Sequence, residues 1–583
     1  MRRLLIGLTA TTVLVCPTIA SATTIFPLDR ATILASSPFD LKVEFDGVVA
    51  AADVSVTING KPVAEVLGKD VSFVEKEEGV EASAVRLNDV VIAEPGTYTV
   101  VAKAGGEEKT VSWEVYGTPD TAQAKNVIFM LADGLSVAHR TAARIMSKGM
   151  TEGKANGRLN MDDLDRMAFI GTSSTEAVAT DSANTMSAYM TGHKTAVNAL
   201  GVYADRTKDS LDDPKFETLA EALRRQTGKA IGIVTTSELQ DATPAALFAH
   251  TRRRADKAVI NNQTYDLKPD VILGGGSAYF LPQSTAGSKR KDDIDHISLY
   301  KEAGYTLATT KAELDAAAGS NTGKVLGLFH TGNMDSTLDR EFLKKGTVGK
   351  FPEQPGLVAM TEAALGQLSK NAAGFVLVVE AANVDKMSHP LDWDRAVLDT
   401  IEFDQAIGVA RKFAESNPDT LIVVTGDHTH GVSIIGTVDD DKKGDDMREK
   451  VGTYAEAGFP NYVDADGDGF PDRIHVSRRL FLAANNGPDH YETFRPKLDG
   501  PFVPAIQDEN KKYIANEAYK DVPGAVLVQG NIPRSGDTGV HAVDDVVLQA
   551  TGPGSEKFKG YMEQSDVYRV LAEALALGVK QSQ

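Results

Sequence analysis

The sequence is poor in cysteine and in positive charge. It has one cysteine, Cys16, among 583 residues, and 61 lysine and arginine residues stand against 81 aspartate and glutamate residues. A chain with one cysteine cannot form an internal disulfide, which excludes a small fold held together by such bonds. With a formal net charge of −20, we expect no nucleic-acid partner, because proteins hold phosphate backbones with basic surfaces.

Long apolar segments are also scarce. One such stretch occupies residues 4–15, after Met1-Arg2-Arg3 and before Ala20-Ser21-Ala22. A charged start, a short apolar core and small residues at the end are typical of a secretory signal peptide, which we predict for residues 1–22. No other segment is long and apolar enough to span a membrane. The sequence therefore predicts a periplasmic or secreted protein.

Residues 24–117 have the pattern of short β-strands. Apolar and polar residues alternate around Leu41, Val43 and Phe45, and the dipeptide Asn59-Gly60 is typical of a tight hairpin turn. Several such strands predict a small β-sandwich of the immunoglobulin-like type. This segment contains no histidine, which makes it a poor candidate for a catalytic metal site.

From residue 125 onward, continuous apolar runs alternate with amphipathic segments. The runs are residues 127–131, 231–234, 271–273, 325–329, 375–379, 421–424 and 546–548. The amphipathic segments include residues 216–225, 356–368 and 396–414. Buried strands that alternate with helices predict an α/β fold, with a central, mostly parallel sheet and helices on both faces. We expect the small β-sandwich to precede it.

Acidic and imidazole side chains follow three of the predicted strands. They are Asp133 after the first run, Glu380, Asp385 and His389 after the fifth, and Asp427 and His428 after the sixth. A single aspartate after a strand is most often a helix cap. Ligands of α/β proteins gather where strands deliver their carboxyl ends. Three such ends, two of them with histidine, therefore predict one shared site.

The kinds of donor atom in these residues suit two metals. Asp385 and His389 are four residues apart, so on a helical turn they share a face and can hold one cation. Mixed nitrogen and oxygen donors suit zinc, whereas the oxygen-only set of Asp133, Glu380 and Thr243 suits magnesium. Zinc and magnesium together are suited to the hydrolysis of a phosphate ester.

The candidate nucleophile is Ser182. It follows Asp181 at the start of a segment of small residues, where the backbone N–H groups of a helix attract an anion. No histidine adjoins it for a serine–histidine relay, so a metal ion would have to activate its hydroxyl. Taken alone, the pair is more typical of a helix cap than of a catalytic serine.

Together these motifs resemble the alkaline phosphatase family. Asp181-Ser182-Ala183, followed by Thr191-Gly192-His193-Lys194-Thr195, is similar to the family's phosphoserine signature. The other matching motifs follow in the family's order: Glu238-Leu239-Gln240-Asp241-Ala242-Thr243-Pro244, then Glu380, Asp385-Lys386 and His389, then Thr425-Gly426-Asp427-His428, and His541 with Asp545-Val546. The resemblance covers about residues 125–575 and leaves the N-terminal β-domain outside.

The resemblance implies two zinc ions and one magnesium ion, each with its own set of ligands. The first zinc would be held by Asp385, His389 and His541. The second would be held by Asp133, Asp427 and His428, with Ser182 Oγ. Asp133 would bridge to a magnesium ion held by Thr243 and Glu380, with Asp241 acting through water. His430 would support a ligand rather than bind a metal.

The same resemblance implies hydrolysis of small phosphate monoesters through a phosphoserine on Ser182. Arg254, thirteen residues after Asp241, is where the family places its phosphate-binding arginine, although Arg252 and Arg253 are neighbouring alternatives. A homodimer is one assembly consistent with the family.

Two alternative functions fit parts of the same pattern. A phosphodiesterase or sulfatase of the same superfamily is the nearer alternative, but the magnesium ligands and Arg254 favour a dianionic monoester. A non-catalytic secreted calcium-binding protein is the other alternative. It is disfavoured because a degenerate member of the family should lack ligands, and every expected ligand can be named.

A second kind of metal site is predicted within an insertion at about residues 432–535. Its candidate ligands are Asp464, Asp466, Asp468, Phe470 and Asp472. Carboxylates at alternate positions around turn glycines form an oxygen cage of the size that calcium prefers. The twelfth position is His475 rather than glutamate, so the loop is not an EF-hand and resembles the shorter loops of dockerin or thrombospondin-type repeats. We expect a structural calcium ion, the alternative being a solvated acidic loop.

Overall fold

The computed structural model describes residues 23–320, 323–442 and 444–578. The predicted signal peptide, with Cys16, lies outside these residues. Within the described ranges, no helix has both the length and the apolar composition needed to cross a membrane.

Residues 24–116 form two sheets around one hydrophobic cluster. Their elements are β1 (Thr24–Phe26), β2 (Thr32–Leu34), β3 (Phe39–Glu44), β4 (Ser55–Ile58), β5 (Lys61–Pro62), α1 (Val63–Leu67), β6 (Ser72–Val74), β7 (Ala84–Val90), β8 (Gly96–Ala104) and β9 (Glu107–Tyr116). The strand orders are β1-β3-β7-β6 and β2-β9-β8-β4-β5. Trp113 is fully buried between them and donates from Nε1 to Pro27 O at 2.9 Å.

The predicted hairpin at Asn59-Gly60 joins β4 to β5, and both of its residues have positive φ. Two layers of strands agree with a small sandwich. The immunoglobulin-like type and the domain boundaries stay predictions.

A ten-stranded sheet forms the centre of the rest of the chain. Its strands are β10 (Asn126–Ala132), β13 (Arg166–Gly171), β14 (Ala230–Glu238), β15 (Val271–Gly275), β16 (Thr306–Ala308), β17 (Val325–Leu328), β18 (Phe375–Ala381), β19 (Thr420–Thr425), β28 (Val546–Thr551) and β29 (Gly560–Glu563). The order is β16-β17-β15-β14-β18-β10-β19-β28-β13-β29. Every pairing is parallel except those of β28 with β19 and β13.

Helices cover both faces of this sheet. They are α2 (Val137–Lys148), α3 (Ser182–Thr191), α4 (Leu219–Gln226), α5 (Ala242–Ala245), α6 (Lys257–Leu267), α7 (His296–Glu302), α8 (Lys311–Ala318), α9 (Leu357–Leu368), α10 (Asn383–Ser388), α11 (Trp393–Ser416) and α12 (Gln564–Leu575). Phe129 of β10 packs in a cluster with α3, α4 and α12, whereas its neighbours Ile128 and Met130 pack in a second cluster with α2, α9 and α11. The predicted α/β class with a mostly parallel sheet is confirmed.

Strands β18, β10 and β19 are adjacent at the middle of the sheet. Leu131 of β10 is in register with Glu380 on one side and with Thr425 on the other. The three strand ends that carry the candidate ligands therefore lie side by side at one edge.

Short strands fill the segments outside these three sheets. They are β11 (Met150–Thr151), β12 (Lys154–Ala155), β20 (Thr429–His430), β21 (Val432–Asp439), β22 (Arg478–Ala484), β23 (His490–Glu492), β24 (Ala505–Gln507), β25 (Tyr513–Ala515), β26 (Val526–Val528) and β27 (His541–Ala542). Strand β20 pairs with β27 in a two-residue ladder that places His430 opposite His541. The long segment that contains β21 to β26 therefore begins after one strand of this ladder and ends before the other.

Candidate active site

Ser182 is the first residue of the buried helix α3. The Asp181 side chain caps this helix by accepting a hydrogen bond from Asn184 N at 3.1 Å. Ser182 is 2% exposed, and its Oγ lies 3.3 Å from Asp133 Oδ1 and 3.4 Å from His428 Nε2. The Asp181 side chain therefore supplies the helix cap, and the Ser182 hydroxyl faces the strand ends.

Three carboxylates crowd together at the ends of the central strands. Asp133, Glu380 and Asp427 are each buried. Burial and the charge of Asp133 raise the pKa of Glu380 to about 8, and they raise the pKa of Asp427 well above its ordinary value. Several buried acidic groups this close together favour the binding of cations between them.

The turn after β10 needs a glycine. Gly134 has a φ of 72°, and a Cβ atom there would lie 2.6 Å from His430 Cδ2. Its N–H donates to Asp427 Oδ1 at 2.9 Å. Both the left-handed backbone and the close approach of the imidazole exclude a larger residue.

His389 and His541 direct their Nε2 atoms to the same point. Nδ1 of His389 is 2.7 Å from Gly539 O, and Nδ1 of His541 is 2.7 Å from Thr180 O. A carbonyl only accepts, so each Nδ1 is the donor, and Nε2 is the nitrogen of each ring that faces the site. The two Nε2 atoms are 3.3 Å apart, and Asp385 Oδ1 lies 3.2 Å from that of His389 and 3.6 Å from that of His541. Three electron-pair donors converge where a tetrahedral metal fits.

A second donor group lies beside the first. Asp133, Asp427 and His428 have ligand atoms within 4.8 Å of one another. His428 Nε2 is 3.2 Å from Asp133 Oδ1 and 3.6 Å from Asp427 Oδ2. Asp427 Oδ2 is buried without a hydrogen-bond partner among the described residues. An orphaned buried carboxylate oxygen in a group of this composition fits a metal ligand.

The third set of donors contains only oxygen. Glu380 Oε2 accepts hydrogen bonds from Thr235 Oγ1 and, at 3.2 Å, from Ser237 Oγ. Helix α5, which carries Thr243, packs beside β18. Thr243 Oγ1 is buried and has no hydrogen-bond partner in the described part of the chain. These donors fit a hard cation such as magnesium.

Of the three consecutive arginines, the structure brings Arg254 to the site. Its Nη1 donates to Asp181 Oδ2 and its Nη2 to Asp241 Oδ1, each at 3.0 Å. Burial lowers the pKa of Arg254, but the two carboxylates more than offset this and raise it above its ordinary value. Arg252 reaches the 205–213 loop instead, and the side chain of Arg253 is 64% exposed.

Comparison with known proteins identifies this constellation. The sequence model of the alkaline phosphatase family matches residues 124–577. The chain belongs to the alkaline phosphatase family. It is therefore a metal-binding phosphoric monoester hydrolase, and small phosphate monoesters fit as its substrates.

The similarity extends to alkaline phosphatases of distant organisms. The tissue-nonspecific isozyme of Gallus gallus is 30% identical over 491 residues, which cover 78% of this chain and 85% of that one. Alkaline phosphatase 4 of Bacillus subtilis is 28% identical and covers 84% of this chain and 96% of its own. The crystal structure of the Thermus thermophilus enzyme has a TM-score of 0.56 at 23% identity, over 80% of this chain and 94% of that one. The fold is that of an alkaline phosphatase.

An alkaline phosphatase site implies zinc and magnesium, and the donor atoms fit both. The nitrogen-containing groups around Asp385 and Asp133 suit zinc, and the orphaned Thr243 hydroxyl beside the strand of Glu380 suits magnesium. His430 Nε2 lies 2.7 Å from Asp385 Oδ1. Burial lowers the pKa of His430 to about 4, so its neutral ring can donate to this carboxylate and hold it in place.

Sequence reasoning missed the position of Lys386. Its Nζ lies among three carboxylates, 3.2 Å from Asp241 Oδ2, 3.3 Å from Asp385 Oδ2 and 3.6 Å from Asp133 Oδ2. Burial opposes its charge, but these carboxylates raise the pKa of Lys386 well above its ordinary value. The available signal was its place next to Asp385, which by itself does not distinguish a site lysine from a solvated one.

The predicted calcium loop is only partly assembled into one donor group. Asp464, Asp466 and Asp472 have carboxylate oxygens within 4.8 Å of one another. Asp468 Oδ1 instead accepts from Phe470 N at 2.8 Å, and the Phe470 ring packs edge-on against Phe342. The structure therefore groups three of the five predicted residues.

Proposed function

We propose that Ser182 is the nucleophile of this alkaline phosphatase, in a site that holds two zinc ions and one magnesium ion. The observation that supports this most directly is the position of Ser182 Oγ, buried at a helix N-terminus between Asp133 and His428. A hydroxyl in this position lies beside metal-ligand candidates and beside N–H groups that attract an anion.

The candidate ligands divide among three ions. Asp385, His389 and His541 would hold the first zinc. Asp133, Asp427 and His428 would hold the second zinc. The magnesium ion would be held by Asp133, Thr243 and Glu380, with Asp241 acting through water. When bound, these ions would lower the pKa of coordinated hydroxyls and neutralise charge on the phosphoryl group.

The chain's own residues then act on a phosphate monoester in two displacements. Ser182 Oγ forms a bond to phosphorus as the bond from phosphorus to the substrate oxygen breaks, and the alcohol leaves with a proton. Water next attacks the phosphoserine, the bond from phosphorus to Ser182 Oγ breaks, and the serine regains its proton as phosphate departs. Arg254 is placed to bind two non-bridging oxygens with its fork, held in orientation by Asp181 and Asp241.

The decisive variant is Ser182→Ala. It should lower kcat/KM for p-nitrophenyl phosphate by several orders of magnitude, because the covalent route is lost. Zinc and magnesium contents should stay near the wild-type values, since the other ligands remain. Ser284→Ala, at an exposed serine, serves as the control. Full activity in Ser182→Ala contradicts the nucleophile assignment, and a higher rate with bis(p-nitrophenyl) phosphate or p-nitrophenyl sulfate contradicts the monoester class.

We also propose that the loop around Asp464 binds a structural calcium ion. Asp464, Asp466 and Asp472 supply converging carboxylates, and Gly467 and Gly469 adopt the positive φ that folds the loop back on itself. Added calcium should raise the Tm of the purified protein. At a calcium concentration a hundredfold above Kd, the free energy of unfolding should rise by about 2.7 kcal/mol. The rise should disappear in Asp464→Asn and persist in Asp441→Asn, an exposed acid of the same segment. An equal rise in both variants contradicts the site.

The pattern of residues 1–22 supports export to the periplasm or the medium. N-terminal sequencing of the exported protein tests this proposal, which requires a mature chain that starts close to Thr23.

We also propose that the protein self-associates. Met167 and Phe169 of β13 and Tyr561 of the edge strand β29 are each about half exposed or more, and exposed apolar groups of this kind support a homodimer. Sedimentation equilibrium should show a dimer that Phe169→Glu weakens and that Val91→Glu, at a comparably exposed position, leaves intact. A monomeric wild type contradicts it.

A further inference from the structure

The N-terminal β-domain is connected to the active site through residues 198–217, here called the connecting segment. Three isolated antiparallel bridges run through it. Phe39 of β3 pairs with Phe216, Lys215 pairs with Val202, and Leu200 pairs with Thr251. A continuous series of backbone contacts therefore leads from the N-terminal domain to the residues just before Arg254.

Apolar contacts attach the connecting segment to the N-terminal domain. Tyr203 and Phe216 are part of the hydrophobic cluster of that domain, and the Tyr203 ring stacks on Phe26 with centroids 5.4 Å apart. The segment thus contributes side chains to the core of a domain whose last strand ends at Tyr116, well before it in the chain. Because they share a packed core, we expect the domain and the segment to move together as one rigid body.

A buried ion-pair network strengthens the same attachment. Lys42 of β3 is 1% exposed, and its Nζ lies 2.5 Å from Asp205 Oδ2, 2.8 Å from Glu77 Oε1 and 2.9 Å from Glu44 Oε1. Arg206 completes the network with a 2.8 Å bond to Glu77 Oε2. Lysine and arginine side chains already neutralise these carboxylates, so we do not assign a metal site here. The cluster is a buried ion-pair network that attaches the domain to the connecting segment.

The other side of the connecting segment holds the arginine-bearing segment. Arg252 donates from Nη1 to Asp205 O at 2.9 Å and from Nη2 to Asp209 O at 2.7 Å. Arg254 N donates to Asn198 O at 2.9 Å, and Asn198 N donates to Asp181 Oδ1 at 3.1 Å. Asp205 is therefore held from one side by Lys42 and from the other by Arg252.

We propose that the N-terminal β-domain positions the phosphate-binding arginine of the active site. Lys42, Asp205 and Arg252 are positioning residues that keep the backbone of Arg254 in place, an inference that rests on the proposed role of Arg254. An arginine side chain is long and has many rotamers, so its two-oxygen contact requires a fixed backbone. Displacement of a substrate-binding group by about 1 Å can cost about a hundredfold in rate.

The test is a double-mutant cycle on the metal-loaded enzyme. Arg252→Met and Lys42→Met are each made in the wild type and in Arg254→Ala, and the Kd of inorganic phosphate is measured by isothermal titration calorimetry. Lys103→Met is the control, because Lys103 lies in the same domain with a side chain that is 57% exposed. Thermal unfolding and metal content verify the fold of every variant. Lys42→Met leaves three buried carboxylates without their lysine partner. If that variant does not fold, Arg252→Met still provides the test.

Arg252→Met should weaken phosphate binding roughly tenfold, and Lys42→Met should act in the same direction. Neither should weaken it further when Arg254 is already alanine, since coupled positions give non-additive effects. A general structural loss would persist in both backgrounds, so equal factors with and without Arg254 overturn the proposal. So does an unchanged Kd in a folded, metal-loaded Arg252→Met variant.

The single variant Arg254→Ala separates the role of Arg254 from the role of the residues that position it. If it leaves the Kd of phosphate unchanged, the proposed role of Arg254 fails and the positioning role fails with it. If it weakens phosphate binding while Arg252→Met does not, only the positioning role fails.

Discussion

The Nε2 atoms of His389 and His541 face each other across 3.3 Å, with the opposite nitrogen of each ring bound to a backbone carbonyl. This arrangement fixes the orientation of both rings before any ligand arrives. Burial lowers the pKa of His389, but the Asp385 carboxylate beside its Nε2 more than offsets this and raises it to about 9. A metal ion bound here would replace the proton of His389, so the pair is a preorganised candidate metal site whose occupation depends on pH.

Replacing His541 should therefore empty one zinc site and leave the other. His541→Ala removes one of the three converging donors, and the affinity for that ion should fall by at least roughly 100-fold. Metal analysis after dialysis should show one zinc per chain fewer than the wild type, with low phosphatase activity. His475→Gln, at a half-exposed histidine, should retain both. Unchanged zinc content in His541→Ala contradicts the ligand assignment.

Gly134→Ala should impair the site through His430. A left-handed φ costs a residue with a Cβ about 1–2 kcal/mol, and the added methyl would also displace the His430 ring, at about 1–3 kcal/mol more. Gly79→Ala is a matched control, because Gly79 has a φ of 71° and a Cβ added there would meet no atom within 4 Å. Chemical denaturation and zinc titration should show the larger loss at Gly134; equal losses would mean that the close contact with His430 is unimportant.

Lys386→Met should destabilise the metal-free enzyme more than the metal-loaded one. Without metal ions, the Lys386 ammonium group is shared by Asp133, Asp241 and Asp385, and its loss should cost about 1–3 kcal/mol. Bound metals should offset part of that loss. Lys311→Met removes an exposed ion pair and should change stability by less than about 1 kcal/mol in either state. A loss at Lys386 that is equal with and without metals contradicts the prediction.

Asp213 should make stability depend on pH below neutrality. Burial raises its folded-state pKa to about 7, with Asp205 and Arg252 facing it. Between about pH 4 and 7 the folded carboxyl is protonated while the unfolded one is ionised, so this contribution to stability falls as pH rises through that window. Asp213→Asn keeps the 2.8 Å bond from Asp205 N and removes the titration.

The Asp213→Asn variant should therefore gain stability relative to the wild type between pH 5 and pH 8, by about 1–3 kcal/mol. Denaturation of the chelated protein at both pH values measures the change without interference from metal loss. Asp53→Asn, at an exposed acid, should show no such gain. A constant difference between variant and wild type across this range speaks against the raised pKa.

Continuous apolar runs in the sequence were sufficient to predict most of the central sheet. All seven apolar runs are strands of that sheet, because a strand buried on both faces needs continuous apolar residues. Strands β13, β16 and β29 were not predicted. Met167 and Phe169 of β13 and Tyr561 of β29 are exposed, and β16 has only three residues, so these strands lack the signature of a buried run.

Residues of the candidate site could be predicted where an acidic residue closely follows a predicted strand, as at Asp133 and Asp427. Sequence could not show that Lys386 lies among three carboxylates, because those residues come from different elements. The attachment of the N-terminal domain to the active site was equally hidden. It depends on the pairing of Lys42 with Asp205, which are 163 positions apart, and local patterns carry no information on contacts at that range.

The ladder that places His430 opposite His541 also bears on the order of folding. His541 follows His428 by 113 residues, so it is the last of the candidate zinc ligands to be synthesised. Asp133, Asp427 and His428 are all made before it. During synthesis, the donors of the second zinc site are therefore complete while His541 is still to be made. Catalysis should begin only when the long segment has brought His541 to the strand ends.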